Sequence, residues 1–138
     1  MRISRNDMFV DIITVISKRS TCPVRKVGAI LIKDNRIIST GYNGSPKGTD
    51  HCEDIGCQIE NKACVRTVHA ESNVIAFAAK YGIPTDGSTM YTTMAPCFNC
   101  AKLIINAGIV RVYYLEPYRL DDGLKALVHS DVGVQKIW

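Results

Sequence analysis

Apolar positions recur at helical spacing near the start of the chain: Met8, Ile12, Val15 and Ile16, behind Ser4 and an acidic Asp7. This predicts a helix that begins at Ser4, runs through Lys18 and has ended by Pro23. The pattern then changes to strands. VGAILIK (27–33), the turn pair Asp34-Asn35 and RIISTG (36–41) predict a β-hairpin. HAESNVIAFAAKYG (69–82) predicts a helix with Val74, Ile75, Phe77 and Ala78 as its apolar residues and Gly82 at its end. STMYTT (88–93) predicts a strand, 97–107 a helix closed by Gly108, and VRVYYL (110–115) another strand. DDGLKALVHS (121–130) predicts a short helix and VGVQKIW (132–138) a last strand. The strand–helix–strand unit over 88–115 requires its two strands to be parallel. The class is therefore α/β.

Residues 42–67, YNGSPKGTDHCEDIGCQIENKACVRT, break the pattern. A connection of 26 residues without periodicity is too long for an idle loop in a small domain, so something must order it. The chain has 138 residues, which suits one domain spanning 1–138. Hydrophobic residues make up 46% and charged residues 22%, enough apolar content to fold. No apolar run reaches the ~18 residues of a membrane span. The N-terminus has polar and acidic residues where a signal peptide needs its apolar core. The expectation is a soluble, cytoplasmic protein with no membrane partner. A net charge of +4 without a basic run fits a small anionic substrate at least as well as a nucleic acid, and no nucleic-acid partner is expected.

Six cysteines change the picture. A reducing compartment disfavours disulfides, so the count points to metal or catalysis. Cys97 and Cys100 in PCFNC are three apart at a helix start, which puts both sulfurs on one side of the first turn. Helix N-terminal N–H groups favour thiolates, the form that binds metal. A lone C-x-x-C is also the pattern of a redox pair, of two buried thiols or of a structural zinc. His69-Ala70-Glu71, opening the preceding helix, favours a catalytic zinc. One imidazole and two thiolates leave a fourth position for water. Glu71 in the first turn can lie beside the metal without binding it, as a proton carrier. H-x-E followed by P-C-x-x-C is the signature of zinc nucleobase deaminases.

Beyond these motifs the chain resembles the deoxycytidylate (dCMP) deaminases of the cytidine deaminase superfamily. The resemblance covers CPVRKVGAIL (22–31), RIISTGYNGSP (36–46), HCEDIGC (51–57), CVRTVHAESN (64–73) and TMYTTMAPCFNCAKLIINAGIVRVYY (89–114). It implies a three-layer α/β/α fold with a central mixed sheet. It also implies hydrolysis of dCMP to dUMP and ammonia, supplying dUMP for dTMP synthesis. A zinc-activated water would attack C4 while Glu71 protonates N3 and then the departing amine. Backbone groups near Ala70, Ala95 and Cys97 would frame the pyrimidine. Asn43 would bond the deoxyribose, although GYNG also reads as a simple turn.

The 5′-phosphate needs cations or hydroxyls, and Arg25, Tyr118, Lys26, Arg111 and Arg119 are the candidates, with Ser45 and Lys47 behind them. Cys22, Cys52, Cys57 and Cys64 remain, three of them in the unexplained 42–67 segment. A structural zinc there would order the loop, with His51 able to replace one cysteine; unpaired thiols are the alternative. The resemblance further implies a homohexamer activated by dCTP and inhibited by dTTP, with Mg²⁺ accompanying the triphosphate near Tyr42 and Gly44. A tRNA adenosine deaminase and a zinc-stabilised nucleic-acid-binding module are the rival readings.

Overall fold

The computed structural model describes residues 1–137. Helix α1 (Arg5–Ser17) is capped by Ser4, whose Oγ accepts from the Asp7 N–H at 3.0 Å. Strands β1 (Gly28–Lys33) and β2 (Arg36–Tyr42) form the hairpin. Its two-residue turn puts Asp34 and Asn35 at φ 52° and 62°. That left-handed pair matches strand twist and suits Asp and Asn. The 42–67 connection contains a short helix α2 (Cys52–Ile55) and a small hairpin of β3 (Ile59–Glu60) and β4 (Ala63–Cys64). A backbone bridge between Gly44 and Val68 closes the segment at its base.

The remaining elements are α3 (Ala70–Lys80), β5 (Thr89–Met94), α4 (Phe98–Asn106), β6 (Arg111–Glu116), α5 (Asp122–His129) and β7 (Gly133–Lys136). The main sheet has the order β2-β1-β5-β6-β7. β1 pairs antiparallel with β2 and β5, while β5, β6 and β7 run parallel. It is a mixed sheet, as expected. The predicted last strand stops at Lys136, and Trp138 lies outside the described residues.

Alternation along β1 explains the layers. Ala29 and Leu31 join a core with Val74, Ile104 and Leu127 from α3, α4 and α5. Ile30 and Ile32 point the other way and meet Phe9 and Ile13 of α1, together with Tyr91. A central strand covered on both faces reads as a continuous apolar run, as GAILI does. Ile104 and Leu127 are fully buried, so truncating either to alanine costs about 2–5 kcal/mol.

Two predicted helix faces need correction. In α1 the buried residues are Phe9, Val10 and Ile13, while Met8 and Val15 are exposed. The sequence carries two overlapping apolar stripes, and docking on β1 and β5 selects the one with the aromatic ring. In α3 the buried set is Ala70, Glu71, Val74 and Ala78, and Phe77 is exposed. Here small side chains let the helix lie close to the sheet; a Cβ on Gly41 of β2 would sit 2.9 Å from the Val74 nitrogen.

Candidate metal centre

The N-termini of α3 and α4 meet above the end of β5. Ala95 and Pro96 carry the chain from β5 to Cys97, the N-cap of α4, whose Sγ accepts from the Cys100 N–H at 3.5 Å. Cys100 lies one turn on and is buried. His69 is the N-cap of α3 but makes no side-chain cap bond, so its imidazole is available elsewhere. Its Nδ1 lies 3.4 Å from Cys97 Sγ and 3.4 Å from Cys100 Sγ. Zinc–ligand bonds of about 2.3 Å to sulfur and 2.0–2.1 Å to nitrogen place tetrahedral N and S ligands about 3.5 Å apart. The three ligand atoms therefore fit one zinc ion, and all lie within 4.8 Å of one another.

Electrostatics agrees with the distances. Cys97 is held down to about 4 by its hydrogen bond with Cys100, and next by the imidazole of His69. Cys100 is pushed up, first by its bond with Cys97 and then by burial. In the metal-free pair the second sulfur thus keeps a proton that a dication would displace. His69 is raised, chiefly by its bond to Cys97.

Glu71 is buried in the first turn of α3, beside this set. Burial lifts its carboxyl to about 7, against the opposing pull of His69 and with the support of Cys97. Its neighbour is Thr92 on β5, with Thr92 Oγ1 3.4 Å from Glu71 Oε1. The same hydroxyl donates to Met94 O at 3.0 Å. One hydroxyl proton cannot serve both, so the contact suits a carboxyl that itself gains and loses a proton. Nothing in the residue pattern singled out Thr92; only strand register brings it under α3.

A cavity opens from these groups. His69, Ala70, Glu71, Ala95 and Cys97 line one part, with Arg25, Asn43 and Tyr118 also in its walls. Asn43 is buried; its Oδ1 accepts from Val27 N at 2.8 Å and its Nδ2 donates to Arg25 O at 2.8 Å. It fastens the segment that carries Arg25, and one N–H and one lone pair of the amide remain. The Arg25 guanidinium sits 5.7 Å over the Tyr118 ring, and Arg119 lies 5.4 Å from the same ring. Arg119 also donates to Asn61 O, tying the 118–122 loop to the β3–β4 hairpin over an outer groove.

The other phosphate candidates are not brought to the cavity. Lys26 donates to Ser20 O, Arg111 lies over Tyr113, and Ser45 and Lys47 line neither cavity nor groove. Tyr42 faces a separate groove with Phe77 and Tyr81. Gly44 is buried in its bridge to Val68.

The remaining cysteines also converge. Cys22 Sγ is 3.9 Å from Cys57 Sγ, and Cys52 Sγ is 3.7 Å from Cys64 Sγ. Disulfide sulfurs stand about 2.05 Å apart, whereas two thiolates on one tetrahedral zinc stand about 3.8 Å apart. The sulfurs of Cys52, Cys57 and Cys64 all lie within 4.8 Å of one another, and Cys22, though close to Cys57, stands outside this compact set. Burial opposes ionisation of Cys64, but backbone hydrogen bonds from Thr67, Arg66 and Gln58 bring it down to about 7. His51 is exposed at the start of α2 and is not in this group. Cys22 and Cys64 also line the cavity of Glu71, a proximity their sequence positions do not suggest.

Residues 3–116 match the model of the family described as the cytidine and deoxycytidylate deaminase zinc-binding region. The chain belongs to this family. It is 48% identical over 118 residues to ComE operon protein 2 of Bacillus subtilis, covering 86% of this chain and 62% of that protein. It is 33% identical over 142 residues to the deoxycytidylate deaminase of Schizosaccharomyces pombe, covering 97% of this chain and 44% of that enzyme. The chain thus spans less than two thirds of the length of these relatives. Among solved structures, the dCMP deaminase of cyanophage S-TIM5 in complex with dCMP and dUMP superposes with a TM-score of 0.88. It is 34% identical, with 99% of each chain covered. The three-layer fold around a mixed sheet is the fold of this deaminase family.

Proposed function

We propose that residues 1–138 form one zinc-dependent deaminase domain that converts dCMP and water to dUMP and ammonia. One observation carries the reading: a buried carboxyl, Glu71, stands in the same cavity wall as His69 and Cys97. The likeness to a phage enzyme crystallised with dCMP and dUMP supports the choice of substrate. His69, Cys97 and Cys100 would hold a zinc ion, which when bound would supply Lewis acidity that brings the pKa of water down to about 7.

The chain's own residues do the rest. Glu71, lifted to about 7 by burial, can take one proton from the attacking water and pass it to ring N3, then take that water's second proton and pass it to the departing amine. Thr92 Oγ1 can accept from the protonated carboxyl while donating to Met94 O, and can turn its proton to the ionised one. Backbone groups of Ala70, Ala95 and Cys97 frame the pyrimidine edge. The remaining N–H and lone pair of Asn43 serve the deoxyribose, and Arg25 with Tyr118 meets the 5′-phosphate. A guanidinium fork braced on a ring loses little freedom when it binds phosphate.

Cys22, Cys52, Cys57 and Cys64 hold a second, structural zinc that orders the 42–67 segment; their sulfur separations support it. The remaining parts of the reading come from resemblance. They are a cytoplasmic homohexamer, activation by dCTP with Mg²⁺, inhibition by dTTP, and effector contacts at Tyr42 and Gly44. The test is ammonia release from dCMP, deoxycytidine, cytidine and tRNA, with and without dCTP. Turnover is expected with dCMP above the others and greater with dCTP. A zinc-loaded protein that leaves dCMP intact refutes the proposal.

A further inference from the structure

Both sulfurs of the His69–Cys97–Cys100 set have hydrogen-bonding neighbours outside the set's own ligand atoms. For Cys97 the neighbour is a backbone group, the Cys100 N–H at 3.5 Å. For Cys100 they are side chains: Ser72 Oγ lies 3.4 Å from Cys100 Sγ, and the Glu71 carboxyl is the other partner. We propose that Ser72 is a positioning residue for the metal, its hydroxyl donating to the Cys100 sulfur and fixing its direction. This rests on zinc occupying the set, as proposed above.

The geometry of the first turn of α3 supports the assignment. His69 and Ser72 are three apart and share one side of the turn, so a single turn delivers both a ligand and a hydrogen-bond donor. A helical serine commonly turns back to the carbonyl four residues before it. For Ser72 that carbonyl belongs to Val68, which already accepts from the Gly44 N–H at 3.2 Å. The hydroxyl instead meets sulfur. A metal-bound thiolate carries no proton, so in the loaded site the serine must be the donor. Its bond stabilises the thiolate against protonation, reduces the electron density that sulfur passes to the ion, and holds the Cys100 rotamer. Partners of this kind typically change metal affinity 10- to 100-fold. Ser72 and Cys100 both line the outer groove, where water can replace part of the lost bond. The expected effect is therefore near ~10-fold.

The experiment compares the zinc-loaded full chain with Ser72→Ala, Ser72→Thr and Ser72→Val. Threonine and valine have nearly the same shape and differ in the hydroxyl. Zinc is withdrawn by a chromophoric chelator. In parallel, Co²⁺-substituted proteins are compared by difference absorption in the sulfur-to-metal charge-transfer region, where an unchanged Cys22–Cys64 cluster cancels. The alanine and valine variants should release the catalytic-site zinc at about tenfold lower chelator. Their charge-transfer bands should move to lower energy, because an unbonded sulfur gives up electrons more easily. The threonine variant should keep the parental values.

Parental release and spectra in both the alanine and valine variants would overturn the role of Ser72 while leaving the zinc reading intact. Equal losses in threonine and valine would do the same, since shape and not the hydroxyl would then be responsible. A correctly folded parent that holds no zinc at the site would overturn both.

Discussion

Replacing Gly123 by alanine sets two opposed effects against each other. Gly123 is the second residue of α5 and is buried. Helix propensity alone favours alanine by about 1 kcal/mol. Space disfavours it. A Cβ there would lie 2.9 Å from the carbonyl carbon and oxygen of Cys97, and closer still to the Pro96 oxygen. Ordinary van der Waals contact begins near 3.4 Å, so the shortfall at Cys97 is about half an ångström. The obstacle is backbone, which cannot rotate aside, and the Cys97 carbonyl is also held by the Ala101 N–H at 2.9 Å. Overpacking of this kind costs about 1–3 kcal/mol. With rigid atoms on the far side the upper part of that range applies, and the net loss is about 1–2 kcal/mol. Because the displaced residue caps α4 with its sulfur, zinc binding should weaken as well. Urea unfolding midpoints and chelator titration measure both quantities. Lys125→Ala, an exposed change on the same helix, should stay within about 0.5 kcal/mol. A Gly123→Ala protein as stable as the parent, with unchanged zinc retention, would mean that helix propensity outweighs the contact, and the close approach of α5 would be refuted.

Other consequences are open to measurement. Glu71→Ala should retain zinc but lose turnover at least ~10²-fold, and normal turnover would remove the proton-carrier role. In the metal-free chain, burial raises the Glu71 carboxyl from 4.5 to about 7, so the folded state holds a proton that the unfolded state releases between those values. Its contribution is full below about pH 4.5 and is lost as pH rises through about 7, a decline of about 3 kcal/mol. Glu71→Gln should abolish that decline in urea titrations of the chelated protein, and an identical pH dependence in the two proteins would contradict it. Arg25→Ala should raise KM for dCMP about 10- to 100-fold, the value of a hydrogen bond to a charged group, with little change for deoxycytidine. Metal analysis should find two zincs per chain. Cys57→Ser should lower that count and open the 42–67 segment to proteolysis; full occupancy in this variant would argue against the four-cysteine site.

Local patterns carry local structure, and much of this protein was legible on those terms. Ser4 caps α1 because a hydroxyl three residues before a free N–H needs no distant partner. Asp34 and Asn35 make the hairpin turn because both tolerate left-handed backbone. The parallel pairing of β5 and β6 follows from a helix lying between them. His69, Cys97 and Cys100 were readable as a candidate ligand set, with Glu71 beside it, because helix N-termini place side chains at fixed sequence offsets.

Other features depend on which surfaces meet. Whether α1 buries Met8 and Val15 or Phe9 and Ile13 is decided by the sheet it packs on, since both stripes are apolar. Asn43 fastens the Arg25 backbone, a bond across 18 residues that no local offset encodes. Thr92 reaches Glu71 through strand register, Ser72 reaches Cys100 across two helices, and Gly123 matters because α5 rests on a carbonyl of another element. Sequence by itself determined the elements outside 42–67, the turn chemistry and the candidate reactive groups, because these depend on neighbours within a few residues; α2, β3 and β4 were not among them. Tertiary structure alone decided the hydrogen-bond partners and close contacts around those groups, because such contacts join residues that only packing brings within reach.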